Sequence, residues 1–318
     1  MPSQPLGIKA GAVDLRAASP TQPSGRYDVT REFSALGAYC NMTYPARDTL
    51  EIISPAYLRG PFRCAVFDFD GTLSLLRGNW QGLMVPMMVD ALAALKTGES
   101  QAELTAIVEE FVTRLTGQPT MQQMYALVDE IEKRGHRRPD PTTHLHRFLD
   151  MLLARTTARI EEIQSGKKPP DEFLVPNSRL LVERLVADGL CLVIASGTEL
   201  ADVRRESQIL QIDRYFGERI FGPINNDPQF SKERVLRQLM ADFGFQGQEI
   251  ASIGDGPAEI RAIKAVGGLA IGVASDEVHQ DGRINALKRD HLLRAGADVI
   301  IPDYRDLPTV VRLISSDS

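Results

Sequence analysis

The chain has 318 residues, 43% hydrophobic and 25% charged, the make-up of a globular protein with length for one large domain or two. Its net charge of -6 supplies no basic excess to neutralise a phosphate backbone, which excludes general nucleic-acid binding but not a small phosphorylated ligand held by a local positive site. No run reaches the roughly 18 apolar residues of a membrane span, no secretory leader is visible, and Cys40, Cys64 and Cys191 lack metal-ligand spacing, so a cytoplasmic protein with reduced thiols and no membrane partner is expected.

Residues 1–30 are rich in Pro, Ser, Gly and Ala without a sustained apolar period and predict a flexible arm. Residues 31–61 carry apolar groups such as Phe33, Leu36 and Ile52 but no strong period, and read as a peripheral extension of the main domain. The run from Cys64 to Phe67 then stops at Asp68-Phe69-Asp70-Gly71-Thr72, the pattern of a buried strand that turns sharply into a loop. Alternate strand residues share a face, so Asp68 and Asp70 reach one site at the strand's carboxyl end.

Helical spacing follows. Trp80, Met84, Met88, Leu92 and Leu95 form one stripe, and Leu104, Val108, Phe111 and Leu115 a second. Met121, Met124, Val128 and Ile131 form a third, closed by Gly135, and a fourth helix begins near Asp140-Pro141-Thr142 with Leu145, Phe148 and Leu152. From about residue 171 helices and strands alternate: helix Ser178 to Ala187, strand Cys191 to Ala195, helix Glu199 to Leu210, a short apolar piece Arg219 to Phe221, a helix capped by Ser231, strand Glu249 to Ile253, and strands Leu269 to Val273 and Val299 to Ile301 around a helix near Ile284 to Ala295. This alternation predicts an α/β fold with a doubly wound, mostly parallel sheet. A crossover between parallel strands needs about a dozen residues, and the stretch from Thr72 to Ser196 is about ten times longer. The division expected is therefore an α/β core of residues 31–77 and 171–318, interrupted by an all-helical cap at 78–170.

Three strands end in polar residues at one edge of that sheet: Asp68-Phe69-Asp70, Ser196-Gly197-Thr198, and Gly254-Asp255-Gly256 with Glu259 beyond, while Lys232 precedes a helix between the last two. Carboxylates, a hydroxyl with neighbouring amides and one ammonium suit oxygen coordination of Mg²⁺ together with a substrate phosphate. An EF-hand calcium loop would want another acid at position 72 and Glu at 79, where the chain has Thr72 and Asn79. Taken singly, Ser196 also reads as a turn residue, Lys232 as an exposed helix lysine and Glu259 as an ordinary first-turn acid.

The order Asp-x-Asp-Gly-Thr, an apolar strand ending in Ser, a Lys before a helix and Gly-Asp-x-x-x-Glu resembles the haloacid dehalogenase superfamily, in the branch with a helical cap after the first motif. Phosphoglycolate phosphatases and β-phosphoglucomutases are similar in plan, and the resemblance spans roughly residues 62–315. It implies Asp68 as a nucleophile forming an aspartyl-phosphate, Asp70 as general acid and base, and Lys232 as the neutralising cation. Ser196, Gly197 and Thr198 would bind phosphate, with Thr72 beside them. Mg²⁺ would be held by Asp68, the backbone carbonyl of Asp70, and Asp255, with Glu259 standing where Asp is more usual. Retention of Asp70 favours an alkoxide leaving group. Arg77, Asn79, Trp80, Gln122 and Gln123 are placed to line the entrance, with Arg77 as a candidate substrate ligand.

The expected activity is thus Mg²⁺-dependent hydrolysis of a small phosphorylated metabolite, a sugar phosphate or phosphorylated organic acid. A phosphomutase using the same intermediate, and a non-catalytic phosphometabolite-binding or scaffold protein, are the alternatives. The oligomeric state is not readable.

Overall fold

A computed structural model describes residues 50–54, 60, 62–115, 120–225, 227 and 229–315. The expected amino-terminal arm, most of the peripheral extension and Cys40 lie outside the described residues.

Among the described residues, seven strands form one sheet in the order β1-β7-β6-β5-β2-β3-β4. They are β1 (Glu51–Ile52), β2 (Cys64–Phe67), β3 (Cys191–Ala195), β4 (Ile220–Phe221), β5 (Ile250–Gly254), β6 (Leu269–Val273) and β7 (Val299–Ile301). Every pairing is parallel except β1 with β7, where the peripheral segment adds an antiparallel edge strand. The sheet is the doubly wound, mostly parallel one that the alternation predicts. From β2 the chain winds through β3 to β4, then returns to the other flank of β2 as β5 and continues outward. The direction of winding therefore reverses between β2 and β5, and their carboxyl ends open a crevice there.

Strand alternation sorts the core into two layers. Ala65 and Phe67 of β2 and Leu192 and Ile194 of β3 face one side, against Leu181 and Leu185 of helix α5 (Ser178–Ala187) and Val310 and Leu313 of helix α11 (Leu307–Ile314). Cys64 and Val66, with Val193 and Ala195, face the other, against Leu236 and Leu239 of α8 (Lys232–Phe243) and Ile260 and Ile263 of α9 (Pro257–Val266). Helices α6 (Leu200–Ile209), α7 (Asp213–Phe216) and α10 (Ala286–Ala295) complete the set around the sheet. Element bounds shift by a residue where local bonding competes: β5 starts at Ile250 because Gly247–Glu249 closes a 3₁₀ turn first. Helix α7 and strand β1 had no readable period and are additions to the expected order.

Between β2 and α5 lie four further helices, α1 (Gln81–Ala93), α2 (Gln101–Arg114), α3 (Thr120–Lys133) and α4 (Pro141–Gln164). Their stripes meet in a separate cluster of buried side chains, including Met84, Met88, Leu104, Phe111, Met124 and Phe148. Start signals act as the sequence dictates: Ser100 and Glu103 form a capping box on α2, and Asp140 caps α4 just ahead of Pro141. Helix α4 is long enough to belong to both layers. Phe148 sits in the helical cluster, whereas Ile160 packs into the core below the sheet. Between them Arg159 donates through Nη1 to the carbonyls of Leu75, Leu76 and Gly78, at 2.6, 2.9 and 3.2 Å, and Arg155 donates to Asn79 O at 2.8 Å. These bonds fix the chain where it leaves the sheet for the helices.

Arg159→Ala removes the donor from three linker carbonyls at once and is expected to cost about 1–3 kcal/mol, read as a lower urea midpoint at unchanged m-value.

Candidate active site

The crevice between β2 and β5 contains a cavity of about 450 Å³ lined by Asp68, Asp70, Gly71, Arg77, Ser196, Gly197, Thr198, Lys232 and Asp255 among others. Chain geometry brings these together from four loops. Residues 69–74 make a tight turn, with Leu73 N–H and Ser74 N–H both donating to Phe69 O at 2.9 Å and Gly71 N–H donating to Ser74 O at 2.8 Å. Gly71 has φ +72°, and a Cβ there would lie 2.1 Å from Asp255 Oδ2, so only glycine lets the two strand ends approach.

Asp68 follows β2 directly. Its Oδ1 accepts Phe69 N–H at 2.8 Å and pairs with Lys232 Nζ at 2.8 Å. Lys232 opens α8, after Ser231 caps it through Arg234 N–H, and its ammonium also pairs with Glu259 Oε2 at 2.8 Å. Glu259 is buried in the first turn of α9, where its other oxygen accepts Gly256 N–H. Asp255 follows β5 directly and pairs through Oδ2 with Lys288 Nζ at 2.7 Å. Lys288 in turn meets Glu277 Oε1 at 2.5 Å. Two ammonium groups thus face four carboxylates.

Asp70 points away from that cluster. Thr198 Oγ1 donates to its Oδ2 at 2.7 Å, while its Oδ1 is buried without a partner among the described residues. Ser196 extends β3 by donating N–H to Phe221 O at 2.9 Å, and its buried hydroxyl oxygen accepts Thr198 N–H at 3.1 Å. Beside them a Cβ built on Gly197 would meet nothing within 4 Å, so this turn faces open space.

Two predicted positions have other neighbours. Thr72 is fully buried behind the wall: its hydroxyl donates to Asp255 Oδ1 at 3.5 Å and its carbonyl accepts Tyr304 OH at 3.0 Å. Arg77 reaches the wall with its guanidinium held by the buried Glu206 at 2.7 Å and by Asp202 at 3.1 Å. Asp202, Glu206, Glu277, Lys288 and Tyr304, all absent from the sequence reading, complete the surroundings. One signal could have pointed to Glu277, since Ser275-Asp276-Glu277 is a polar cluster just beyond β6, at the same edge as the other three loops.

Burial raises the Asp68 carboxyl to about 8, with Lys232 opposing the shift and the Glu259 and Asp255 carboxylates adding to it. Asp70 is pushed up to about 6, again chiefly by burial, against the pull of Arg77. Asp255 is raised by burial, with Lys288 opposing. The site is therefore short of positive charge. Asp68, Asp255 and Glu259 each offer an oxygen within 4.8 Å of the others. An all-oxygen, electron-rich set of this kind fits a hard divalent cation.

On the opposite side, the linker, α3 and α4 contribute Trp80, Thr120, Gln123, Phe148 and Leu152. Gln123 is buried and donates Nε2–H to Leu115 O at 3.2 Å. Because that carbonyl only accepts, the amide orientation is fixed, and Oε1 remains without a partner among the described residues.

The structure resembles several solved ones. A predicted phosphoglycolate phosphatase from Haemophilus somnus 129PT aligns with a TM-score of 0.52 and 18% identity, over 79% of this chain and 99% of that one. A conserved haloacid dehalogenase-like protein of unknown function from Agrobacterium tumefaciens C58 gives 0.52 and 18%, over 79% and 97%. A HAD family hydrolase from Deinococcus radiodurans R1, crystallised with phosphate and sodium, gives 0.50 and 18%, over 79% and 95%. At such identities the likeness is one of fold. No curated protein has a significant match to the chain. The family profile for haloacid dehalogenase-like hydrolases, however, matches residues 62–267, a span that runs from the strand before Asp68 to beyond Glu259 and takes in the whole acidic cluster but for Glu277. By that match the chain belongs to the haloacid dehalogenase-like hydrolases.

Proposed function

We propose that the protein is a Mg²⁺-dependent phosphatase that hydrolyses a small phosphomonoester through an aspartyl-phosphate on Asp68. The observation that carries this reading is the convergence, on one cavity, of Asp68, Asp70, the Ser196 turn and Lys232 with the group Asp68, Asp255 and Glu259. Mg²⁺ would be held by Asp68, Asp255 and the backbone carbonyl of Asp70, with Glu259 beside them, and when bound it would supply positive charge to the phosphoryl oxygens.

The chain's own residues divide the remaining work. Phe69 N–H and Lys232 hold Asp68 Oδ1, so Oδ2 is the oxygen turned to phosphorus. Attack forms the Oδ2–P bond as the ester P–O bond breaks. Asp70, with a pKa near 6, carries a proton in part of the population near neutral pH and gives it to the departing alkoxide. It then takes a proton from water, which attacks the aspartyl-phosphate, releases inorganic phosphate and restores Asp68. The unpartnered Asp70 Oδ1 is the atom available for both transfers. Thr198 keeps the other oxygen occupied, and Arg77, anchored by Glu206 and Asp202, holds positive charge behind the Asp70 carboxylate. Ser196 and the open Gly197 turn take phosphate oxygens, while Lys232 stabilises charge that spreads over them in the transition state.

The helical wall narrows the leaving group. Among the described residues, α3 and α4 bring no ionisable side chain to the cavity, and Gln123, which lines it with Thr120, Phe148 and Leu152, has in Oε1 a buried acceptor without a partner. A neutral leaving group with a hydroxyl donor, such as a sugar or polyol, satisfies that acceptor. A carboxylate would meet the acceptor with its own negative charge.

Asp68→Asn is expected to lower phosphate release from a phosphomonoester panel by about 10³-fold or more, with thermal unfolding retained, and chelation of Mg²⁺ should abolish activity until Mg²⁺ is returned. Substantial phosphate release from folded Asp68→Asn would refute the assignment. Gln123→Leu should reduce kcat/KM for a polyol phosphate, relative to p-nitrophenyl phosphate, by about tenfold, near the upper worth of one neutral hydrogen bond.

A further inference from the structure

We infer that Lys288 and Glu277 are positioning residues that set the cation affinity of Asp255 and tie it to the linker into the helical layer. This rests on the Mg²⁺ reading above. Lys288 lies in the first turn of α10, whose cap, Asn285, accepts Lys288 N–H at 3.0 Å. A cation there opposes the helix dipole, so the ammonium's position does not serve the helix. Its side chain, 20% exposed, reaches instead between Asp255 Oδ2 and Glu277 Oε1. Ser275, beside them, holds the loop against the nucleophile turn by donating Oγ–H to Gly71 O at 3.4 Å.

Glu277 has a second attachment. Its Oε2 accepts Asn79 N–H at 2.6 Å, at the point where the chain enters α1. Asn79 has φ +56°, a left-handed conformation that is uncommon outside glycine and that asparagine adopts more readily than most residues. Its N–H, carbonyl and Oδ1 are all held: Glu277 takes the N–H, Arg155 supplies a donor to the carbonyl, and Asn79 Oδ1 accepts Gly82 N–H at 3.1 Å. The path Asp255, Lys288, Glu277, Asn79 is thus continuous, from an oxygen of the acidic group to a left-handed backbone residue at the base of the helices.

The charges give the path a direction. Without a divalent cation, Lys288 divides its charge between two carboxylates. A cation at Asp255 takes over that carboxylate and repels the ammonium, which then pairs with Glu277 alone and pins the acceptor of the Asn79 amide. Lys288 therefore competes with the cation, and Glu277 draws the competitor away.

The test is calorimetric titration of the full chain with Mg²⁺ alone, with amide hydrogen exchange at Asn79 followed in the same samples. Lys288→Met should tighten Mg²⁺ binding at least tenfold and Glu277→Gln should weaken it at least tenfold, whereas a purely structural role would not drive the two affinities in opposite directions. In the unsubstituted protein Mg²⁺ should slow exchange at Asn79 at least threefold, and in Lys288→Met the response should vanish. Glu277→Gln, nearly isosteric, decides the affinity arm should Lys288→Met not fold, and Lys288→Arg, which keeps the charge, should then retain the exchange response. Absence of any Mg²⁺ heat in the unsubstituted protein overturns both this inference and the metal reading. Heat with no change at Asn79, or affinities that shift in the same direction, overturns this inference alone.

Discussion

Negative charge held at the β2/β5 crevice is the constraint on which the rest of the structure turns. Asp68, Asp255, Glu259 and Glu277 are brought within reach of two ammonium groups, Lys232 and Lys288, by elements that have little freedom to move. Asp68 and Asp255 directly follow paired central strands, and Glu259 is fixed in the first turn of α9. Burying such groups works against folding, and the raised carboxyls of Asp68 and Asp255 are its electrostatic signature. The fold tolerates it because both faces of the sheet bury continuous apolar layers immediately beneath, with Val66, Phe67 and Ile253 sealed directly under the acids.

The helices are bound to the same place by different means. Their own cluster makes them a self-consistent packing unit, and beside the apolar contact of Ile160 with the sheet-side core their link to the sheet is polar. Arg159 and Arg155 hold the carbonyl side of residues 75–79, and Glu277 holds the amide of Asn79. Directional bonds to backbone define an angle, whereas an apolar contact tolerates sliding. Helix α4 supplies both arginines on the face that also presents Phe148 and Leu152 to the cavity, so one helix sets the linker and the wall together.

Much of this was legible in the amino-acid sequence because it depends on local rules. The strand from Cys64 to Phe67, the stop at Asp68, and the caps at Asp140 and Ser231 each follow from residues adjacent in the chain. Loops that end parallel strands share one edge, so Asp68, Ser196 and Asp255 could be assembled from spacing alone. Lys288, Glu206 and Tyr304 could not. Their partners lie far away in sequence, and an isolated lysine in a helix or a tyrosine after a strand has no period that separates it from a surface or core residue. Thr72 shows the converse: its place in the motif marks it, but only the packing of Tyr304 and Asp255 shows that it lies behind the cavity wall. Strand β1 escaped because two residues cannot display an alternation.

The end of strand alternation at Phe67 explains why two acids only two positions apart can differ in character. The strand ends at Phe67, and the turn that follows sends Asp70 toward Thr198 while Asp68 remains among Lys232, Glu259 and Asp255. Burial raises both carboxyls, but their neighbours are unlike. Positive charge added beside Asp68 and Asp255 would act on Asp68 at contact distance and would draw it down to the ionised form a nucleophile needs. Asp70, outside the acidic group and already facing Arg77, would respond less and remain the carboxyl that exchanges protons near neutrality. The difference between the two carboxyls therefore does not reside in either side chain. It arises from a turn tight enough to require Gly71, with the group Asp68, Asp255 and Glu259 on one side of that turn and Arg77, held by Glu206 and Asp202, on the other.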